Sequence, residues 1–438
     1  MQLNTILERL RERHGIERLT PMQQQMAAED ASHLILLSPT GSGKTVAFAL
    51  RMLRFIGPST GHVQAVVMAP SRELVLQIAD VLRPLAAGLK TVAFYGGHNM
   101  VDEVSSLSVV PDIIVATPGR LLDHLNRHTL DVSDVSALVL DEYDKSLELG
   151  FLDEMRRIVK HMRALKLVIL TSATPLAEMP DFLSMKGAVT LDYTRTAASM
   201  RLQTVKVPSA DRDKLPVLID LLHTLPDGRA IVFVNHRESA ERVYNALKKE
   251  GFPVGLYHGG LEQRERQLAV DLFNNGTTPI LVSTDLGSRG LDIDNVNYVI
   301  HYHMPVTPES WTHRNGRTAR MGADGTAYVI VAEGENIPDA VVWEREFYPS
   351  GQKPADGGIH SDVSTLYFNA GKKEKISRGD IAGFLMQKGA LAPDEVGKIV
   401  VNDHSAIVAV PRSKAAATVE AVAPYKIKNT RVKVSVLG

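Results

Sequence analysis

The sequence predicts an α/β fold: two parallel-sheet domains in tandem, followed by a smaller α+β domain. Three observations carry that expectation. From about Leu34 to Val331, short apolar runs alternate with amphipathic stretches of helical length, the pattern of strands buried on both faces. The runs fall into two sets, divided by a polar stretch near Tyr193–Asp213 that reads as a linker. After Val331 a Gly-, Pro- and charge-rich connector gives way to a strand–helix–strand–strand–helix–strand order.

In chain order, the first set of strands is LILL (34–37), AVVMA (65–69), DIIVA (112–116), ALVL (137–140) and LVIL (167–170). The second is AIVFV (230–234), VGLY (254–257), ILVS (280–283), YVIHY (298–302) and AYVIV (327–331). In the last part the strands are TLYFNA (365–370), KIVVN (398–402), AIVAV (406–410) and RVKVSV (431–436), with helices at 379–389 and 412–423. That order is ferredoxin-like. The expected boundaries are 1–205, 206–335, a connector at 336–362, and 363–438.

Composition narrows the class. The chain's 438 residues exceed one ordinary domain, and 44% hydrophobic residues suffice for well-filled cores. The absence of cysteine excludes disulfides, thiolate metal sites and cysteine nucleophiles. The charged start MQLNTILERLRERHG has no apolar leader, and no apolar run is long enough to span a bilayer, so a cytoplasmic location is expected. The net charge of −1 hides an asymmetry. From Ser361 onward 12 Lys+Arg face 7 Asp+Glu, which gives that part +5 and the rest −6. A basic tail on a mildly acidic body points to a polyanionic partner.

SPTGSGKT (38–45) lies between the run LILL and the apolar helical stretch VAFALRML. Glycines at 41 and 43 allow backbone N–H groups to wrap phosphate oxygens, and the helix start favours the anion. Lys44 supplies a point charge at the β/γ-phosphates, and the Thr45 hydroxyl is a ligand for Mg²⁺. Thr40, Gly41, Ser42 and Gly43 complete the cradle. ALVLDEYD (137–144) puts Asp141 at the carboxyl end of a strand, where open α/β sheets hold ligands. Asp141 suits the metal side, and Glu142 the orientation or deprotonation of the attacking water.

With these stand GIERLTPMQ (15–23), PSREL (70–74), GG (96–97), TPGR (117–120), SAT (172–174), IVFVN (231–235), STDLGSRGLDI (283–293) and HRNGRTAR (313–320). In this order the segments resemble DEAD-box RNA helicases over nearly the whole chain. The resemblance implies two tandem RecA-like domains, ATP and Mg²⁺ as cofactors, and RNA-dependent ATP hydrolysis. It assigns Gln23 to adenine, Asp292 to the ribose, Arg317 and Arg320 to the γ-phosphate as arginine fingers, and Ser172, Thr174 and His313 to coupling. For RNA it points to Arg72, Gly97, Thr117, Arg120, Thr284 and Arg289, whose hydroxyl, glycine and guanidinium groups suit phosphate and 2′-OH contacts. Tyr143 departs from the family's usual alanine, and Ala319 and Asn315 also depart from the pattern.

TLYFNAGKKEKISRGDIAGFL (365–385), EVGKIVVND (395–403) and KNTRVKVSVLG (428–438) resemble the RRM-like RNA-binding domain of DbpA-type helicases. That resemblance implies recruitment to large-subunit ribosomal RNA. Lys372, Lys373 and Lys398 are candidate phosphate contacts. Tyr367 and Phe368 are adjacent on one strand, so one ring should face outward for stacking and the other inward. The reading is therefore a monomeric ATP-dependent RNA helicase of large-subunit assembly, with no membrane. An ATP-dependent RNA clamp or chaperone with little unwinding is the alternative.

Overall fold

The structure is a computed structural model that describes residues 2–39, 41–97, 99–175, 179–194, 202–288, 293, 296–318, 325–337, 341–354 and 358–437. Four sequence-predicted site residues, Thr40, Arg289, Asp292 and Arg320, lie outside the described residues. The chain forms two compact units, the first ending near residue 200.

In the first unit the strands are β1 (His33–Leu37), β2 (Ala65–Met68), β3 (Thr91–Phe94), β4 (Ile113–Ala116), β5 (Ala137–Leu140), β6 (Leu167–Ser172) and β7 (Val189–Asp192). They make one sheet in the order β3-β4-β2-β5-β6-β1-β7, paired in parallel throughout. β2, β4 and β5 are buried at every position, because helices cover both faces of the sheet. One apolar cluster gathers Phe48, Leu53, Ile78 and Leu82 on one face, and another gathers Leu121, Ile158 and Tyr143 on the other.

The second unit begins with a parallel sheet of β8 (Leu202–Ser209), β9 (Ala230–Phe233), β10 (Val254–Tyr257), β11 (Ile280–Ser283), β12 (Tyr298–His301), β13 (Gly325–Ala332) and β14 (Arg345–Glu346). Its order is β10-β11-β9-β12-β13-β8-β14. Counted from its own first strand, this is the order of the first sheet. β8 corrects the expectation of a linker over Tyr193–Asp213: LQTVKVPS alternates apolar with polar residues and so lacks the continuous run of a central strand. β14 likewise lies within the stretch expected as connector.

The same unit carries a four-stranded antiparallel sheet of β15 (Val363–Phe368), β16 (Ile399–Val401), β17 (Ala406–Pro411) and β18 (Val434–Leu437), ordered β16-β17-β15-β18. Two helices, Arg378–Lys388 and Arg412–Val422, pack on one face around Leu366, Phe368, Val408, Ile381 and Leu385. Thr365 points to the other face, yet it is fully buried. Its hydroxyl accepts a hydrogen bond from Asn275 Nδ2 at 2.8 Å and shares another with Thr277 Oγ1 at 2.7 Å. Ser361 Oγ donates to the carbonyl of Gly276 at 2.8 Å. The small sheet is thus fastened to the loop between the helix Gln263–Asn274 and β11.

Candidate active site and nucleic-acid interface

The phosphate loop starts where β1 ends and closes on the helix Lys44–Phe55. Gly43 is its N-cap at φ 88°, and a Cβ there would stand 2.5 Å from Gln23 Nε2, so both conformation and space demand glycine. Lys44 is buried and donates from Nζ to the carbonyls of Ser38 (2.6 Å) and Pro39 (3.0 Å). Ser38 and Ser42 join through their hydroxyls at 2.8 Å.

Gln23 sits in the capping box of the helix Pro21–Ala28: its Oε1 accepts from Thr20 N at 3.0 Å, and its own N–H meets Thr20 Oγ1 at 3.3 Å. Its Nε2 donates to Gly43 O at 3.3 Å, which ties this helix to the phosphate loop. A primary amide has two N–H donors and two acceptor lone pairs, so these two contacts use one of each.

Asp141 and Glu142 follow β5. The register Leu140↔Leu170 sets Thr171 beside them, and its hydroxyl donates to Asp141 Oδ1 while accepting from Glu142 N at 3.2 Å. Burial pushes the Asp141 carboxyl above its ordinary value, against the opposing pull of the Thr171 hydrogen bond and the Lys44 charge. Glu142 adopts φ 46°, a left-handed conformation costing a non-glycine residue about 1–3 kcal/mol. Asp144, the motif's last carboxylate, accepts from Thr174 Oγ1 at 3.0 Å; Ser172 Oγ in turn donates to Thr174 O at 2.6 Å. Tyr143 turns away into the apolar cluster with Leu140, Met155 and Ile158, so its ring replaces core volume. Thr171 and Asp144 were absent from the sequence-predicted set. Asp144 was legible as the end of DEYD; Thr171 matters only through strand register.

Asp141 carboxylate and Thr45 hydroxyl are hard oxygen donors, the kind Mg²⁺ takes in small number while phosphates and water fill the rest of its shell. The residues present therefore fit that ion.

The carboxyl ends of the neighbouring strands β3, β4 and β2 gather the candidate RNA groups of this unit. The Arg72 guanidinium lies 4.4 Å from the Tyr95 ring centroid, and a Cβ on Gly97 (φ 83°) would touch Arg72 Nη1 at 3.4 Å. Thr117 is the N-cap of the helix Pro118–Asn126. Arg120 on that helix donates from Nε to Glu103 at 2.7 Å, and His124 Nε2 meets the same oxygen at 2.9 Å. Burial raises the Glu103 carboxyl's affinity for a proton, but these two hydrogen bonds outweigh it and hold the group below the usual carboxylate range.

In the second unit the carboxyl ends of the strands hold a buried cationic network. Arg314, fully buried, donates to Asp285, to His303 O (2.8 Å) and to Asn235 Oδ1 (2.7 Å), with its guanidinium 5.3 Å from the Phe233 ring centroid. His301 pairs with Asn315 at 2.9 Å and stacks on Trp311, centroids 4.6 Å apart. Burial drives His301 down to about 3 and His303 to about 4. His313 and Arg317 are buried within this unit, and Thr284, half-buried, follows β11. Arg314 was not singled out in the sequence; its partners come from three separate segments.

In the small domain Lys372 and Lys373 are exposed beside the turn at Asn402–Asp403, whereas Lys398 lies at the opposite end of the sheet, close enough to Asp271 to influence its charge. Phe368 faces the core and Tyr367 is half-buried on the face of Thr365. Among the described residues no helix is long and apolar enough to cross a membrane.

Comparison with known proteins gives three consecutive family matches: DEAD/DEAH box helicase over 20–182, helicase conserved C-terminal domain over 213–322, and DbpA RNA binding domain over 365–436. The chain is 33% identical to the ATP-dependent RNA helicase DbpA of Escherichia coli, across 91% of this chain and 89% of that one. It is 28% identical to the Bacillus subtilis protein of the same name, across 96% and 95%. Among solved structures it is similar to yeast (S. cerevisiae) Dbp5 bound to RNA and ADP BeF3, with TM-score 0.66, 28% identity, and coverage of 75% and 87%.

Proposed function

We propose, from the premise that the chain belongs to the DEAD-box family of ATP-dependent RNA helicases with a DbpA-type RNA-binding domain, that it remodels large-subunit ribosomal RNA during ribosome assembly. The family match makes it an RNA-dependent ATPase that binds ATP and RNA. The ribosomal target, the roles of individual residues, Mg²⁺ as the metal, a monomeric state and a cytoplasmic location belong to this proposal.

The single observation that carries the mechanism is the division of chemistry between the units. Lys44, Asp141, Glu142 and Thr171 cluster in the first, and Arg314, Arg317 and His313 in the second. In this reading Gly41, Ser42, Gly43 and Lys44 bind the phosphates, Gln23 reads adenine, and Thr45 and Asp141 would hold Mg²⁺, which would supply neutralisation of phosphate charge. Glu142 positions the attacking water and takes its proton. Arg317 and Arg320 stabilise the charge that develops on the transferred phosphoryl group, a contribution of about 10³–10⁵ in rate. Asp292 contacts the ribose. Ser172 and Thr174, held by Asp144, pass the state of the ATP site to the RNA contacts Arg72, Gly97, Thr117 and Arg120, matched in the second unit by Thr284 and Arg289; His313 links that unit's arginines to the same event. Bending of one strand by these contacts would separate short duplexes, and the helicase family matches support a helicase over a passive clamp.

The small domain supplies the address. Lys372 and Lys373 meet phosphates at its free end, and Tyr367 offers a partly covered ring. Crosslinking the protein to RNA in cells, followed by sequencing, tests the target. Enrichment of one large-subunit hairpin, lost on removing 361–438, is expected. An even spread over messenger RNA, unchanged by that removal, would refute the ribosomal assignment.

A further inference from the structure

Where the small domain meets the second parallel sheet, the seam encloses a cleft of about 530 Å³. Three stretches of chain build it. The sheet domain contributes Lys248, Tyr244 and Phe252, the connector contributes Lys353, and the small domain contributes Arg412. Glu250 is the carboxylate on its lining. The three cations form no ion pair among the described residues. Lys248 lies 5.6 Å from the Tyr244 ring centroid, and Arg412 Nη2 donates only to the carbonyl of Val363 at 3.3 Å. Three like charges converging on one cleft repel each other, a cost that an anion bound there would reverse. Beside them, Phe252 and His223 meet in a tilted ring contact, centroids 4.6 Å apart, and give the cleft an apolar wall. A cation over the Tyr244 ring, with Lys353 and Arg412 on the same lining, suits the alternation of phosphate and sugar-base along a ribonucleotide strand.

The position of the cleft separates it from the sites already described. Its walls come from the amino ends of β10 and β11, whereas Thr284 and Asn235 follow the carboxyl ends of β11 and β9. A four-residue strand places about 13 Å between the two edges. Lys372 and Lys373 stand at the far end of the small sheet, away from Val363 and Arg412.

We infer that this seam cleft is an additional RNA-backbone site, taking a short single-stranded stretch of phosphodiester that flanks the structure recognised elsewhere. The site exists only while the small domain is docked, because Arg412 and the connector complete it. RNA held there fixes the small domain against the second sheet, adding to the Thr365–Asn275–Thr277 hydrogen bonds that already fasten it. The inference does not depend on which RNA is the natural target.

The test is fluorescence anisotropy on the full-length protein with a labelled hairpin RNA carrying single-stranded arms, over a range of salt, for K248E, K353E and R412E. Each is expected to weaken binding about three- to tenfold and to lower the slope of log affinity against log salt by about one, as loss of a phosphate contact does. Lys249, on the same helix but off the cleft, gives the control K249E, expected to change the slope less. Unchanged affinity and slope in all three variants would overturn the site, as would an equal effect in K249E. Inorganic tripolyphosphate separates the sources: loss of tripolyphosphate binding in the variants, with RNA affinity intact, would overturn the assignment to RNA.

Discussion

The two parallel sheets share one strand order and differ in what their carboxyl edges carry. In the first, the strand ends present Asp141, Glu142 and Asp144 beside a glycine loop and Lys44; in the second they present the guanidinium groups of Arg314 and Arg317, with His301 and His303 held uncharged by burial. One scaffold thus hosts a half whose edge carries carboxylates, the acidic half, and one built around buried arginines, the cationic half. The lesson is that topology provides the edge, while the few residues just past each strand decide the chemistry.

The sharpest way to break this contrast is to remove the first unit's own groups. Glu142→Gln or Lys44→Ala is expected to lower RNA-stimulated phosphate release by about 10²–10⁴-fold, the range for loss of a positioned acid–base or charged group. A fall of less than tenfold in a steady-state assay would remove the acidic half from catalysis.

The second unit's contrast is structural as well. Arg314→Ala strands Asp285 and Asn235 beside an emptied, fully buried site, and breaking such a pair costs about 3–5 kcal/mol. Both tryptophans, Trp311 and Trp343, lie in this unit, so their fluorescence during urea unfolding reads its stability alone. Lysine should not rescue, because three partners are met by one planar fork.

Acid should act on the second unit through its buried histidines. His301 and His303 have folded values of about 3 and about 4, below the ordinary 6.5, so between those limits the unfolded chain holds the extra proton. Stability of the second unit is therefore expected to fall as pH drops below 6.5, by up to about 1.4 kcal/mol per pH unit for each histidine. In the first unit the two shifted carboxyls oppose each other: Asp141, raised by burial, favours the folded state as pH falls, whereas Glu103, held low by His124 and Arg120, disfavours it. A tryptophan-detected urea midpoint independent of pH from 7.5 to 5.5 would contradict the histidine assignment. The smallest effect expected is for Thr171→Val, which removes the hydroxyl joining Asp141 to Glu142 N: about tenfold in kcat with little change in KM for ATP, read from saturation curves.

The legible parts of this molecule are those written in contiguous residues. LILL, ALVL and ILVS announce buried strands because all positions are apolar, and SPTGSGKT with DEYD locates the phosphate loop and its carboxylates. β3, with half its residues partly exposed, and β7, a mostly uncovered edge, gave no such run, and β8 hides behind alternation. Thr171 and Arg314 escaped for a related reason. Each acquires its role from partners on other strands, at a register that one-dimensional spacing does not express. Lys398 appeared equivalent to Lys372 and Lys373 as a basic residue of the same domain, until the sheet set them at opposite ends.

Everything turns on whether hydrolysis requires the cationic half. The direct measurement is the double variant Arg317→Ala/Arg320→Ala of the full-length chain, assayed for binding of a fluorescent ATP analogue and for phosphate release with saturating RNA. Retained nucleotide binding with release reduced by about 10³-fold or more is expected. Release at the unaltered rate would mean that the first unit hydrolyses ATP with its own groups, and the division of labour between the two sheets would be contradicted.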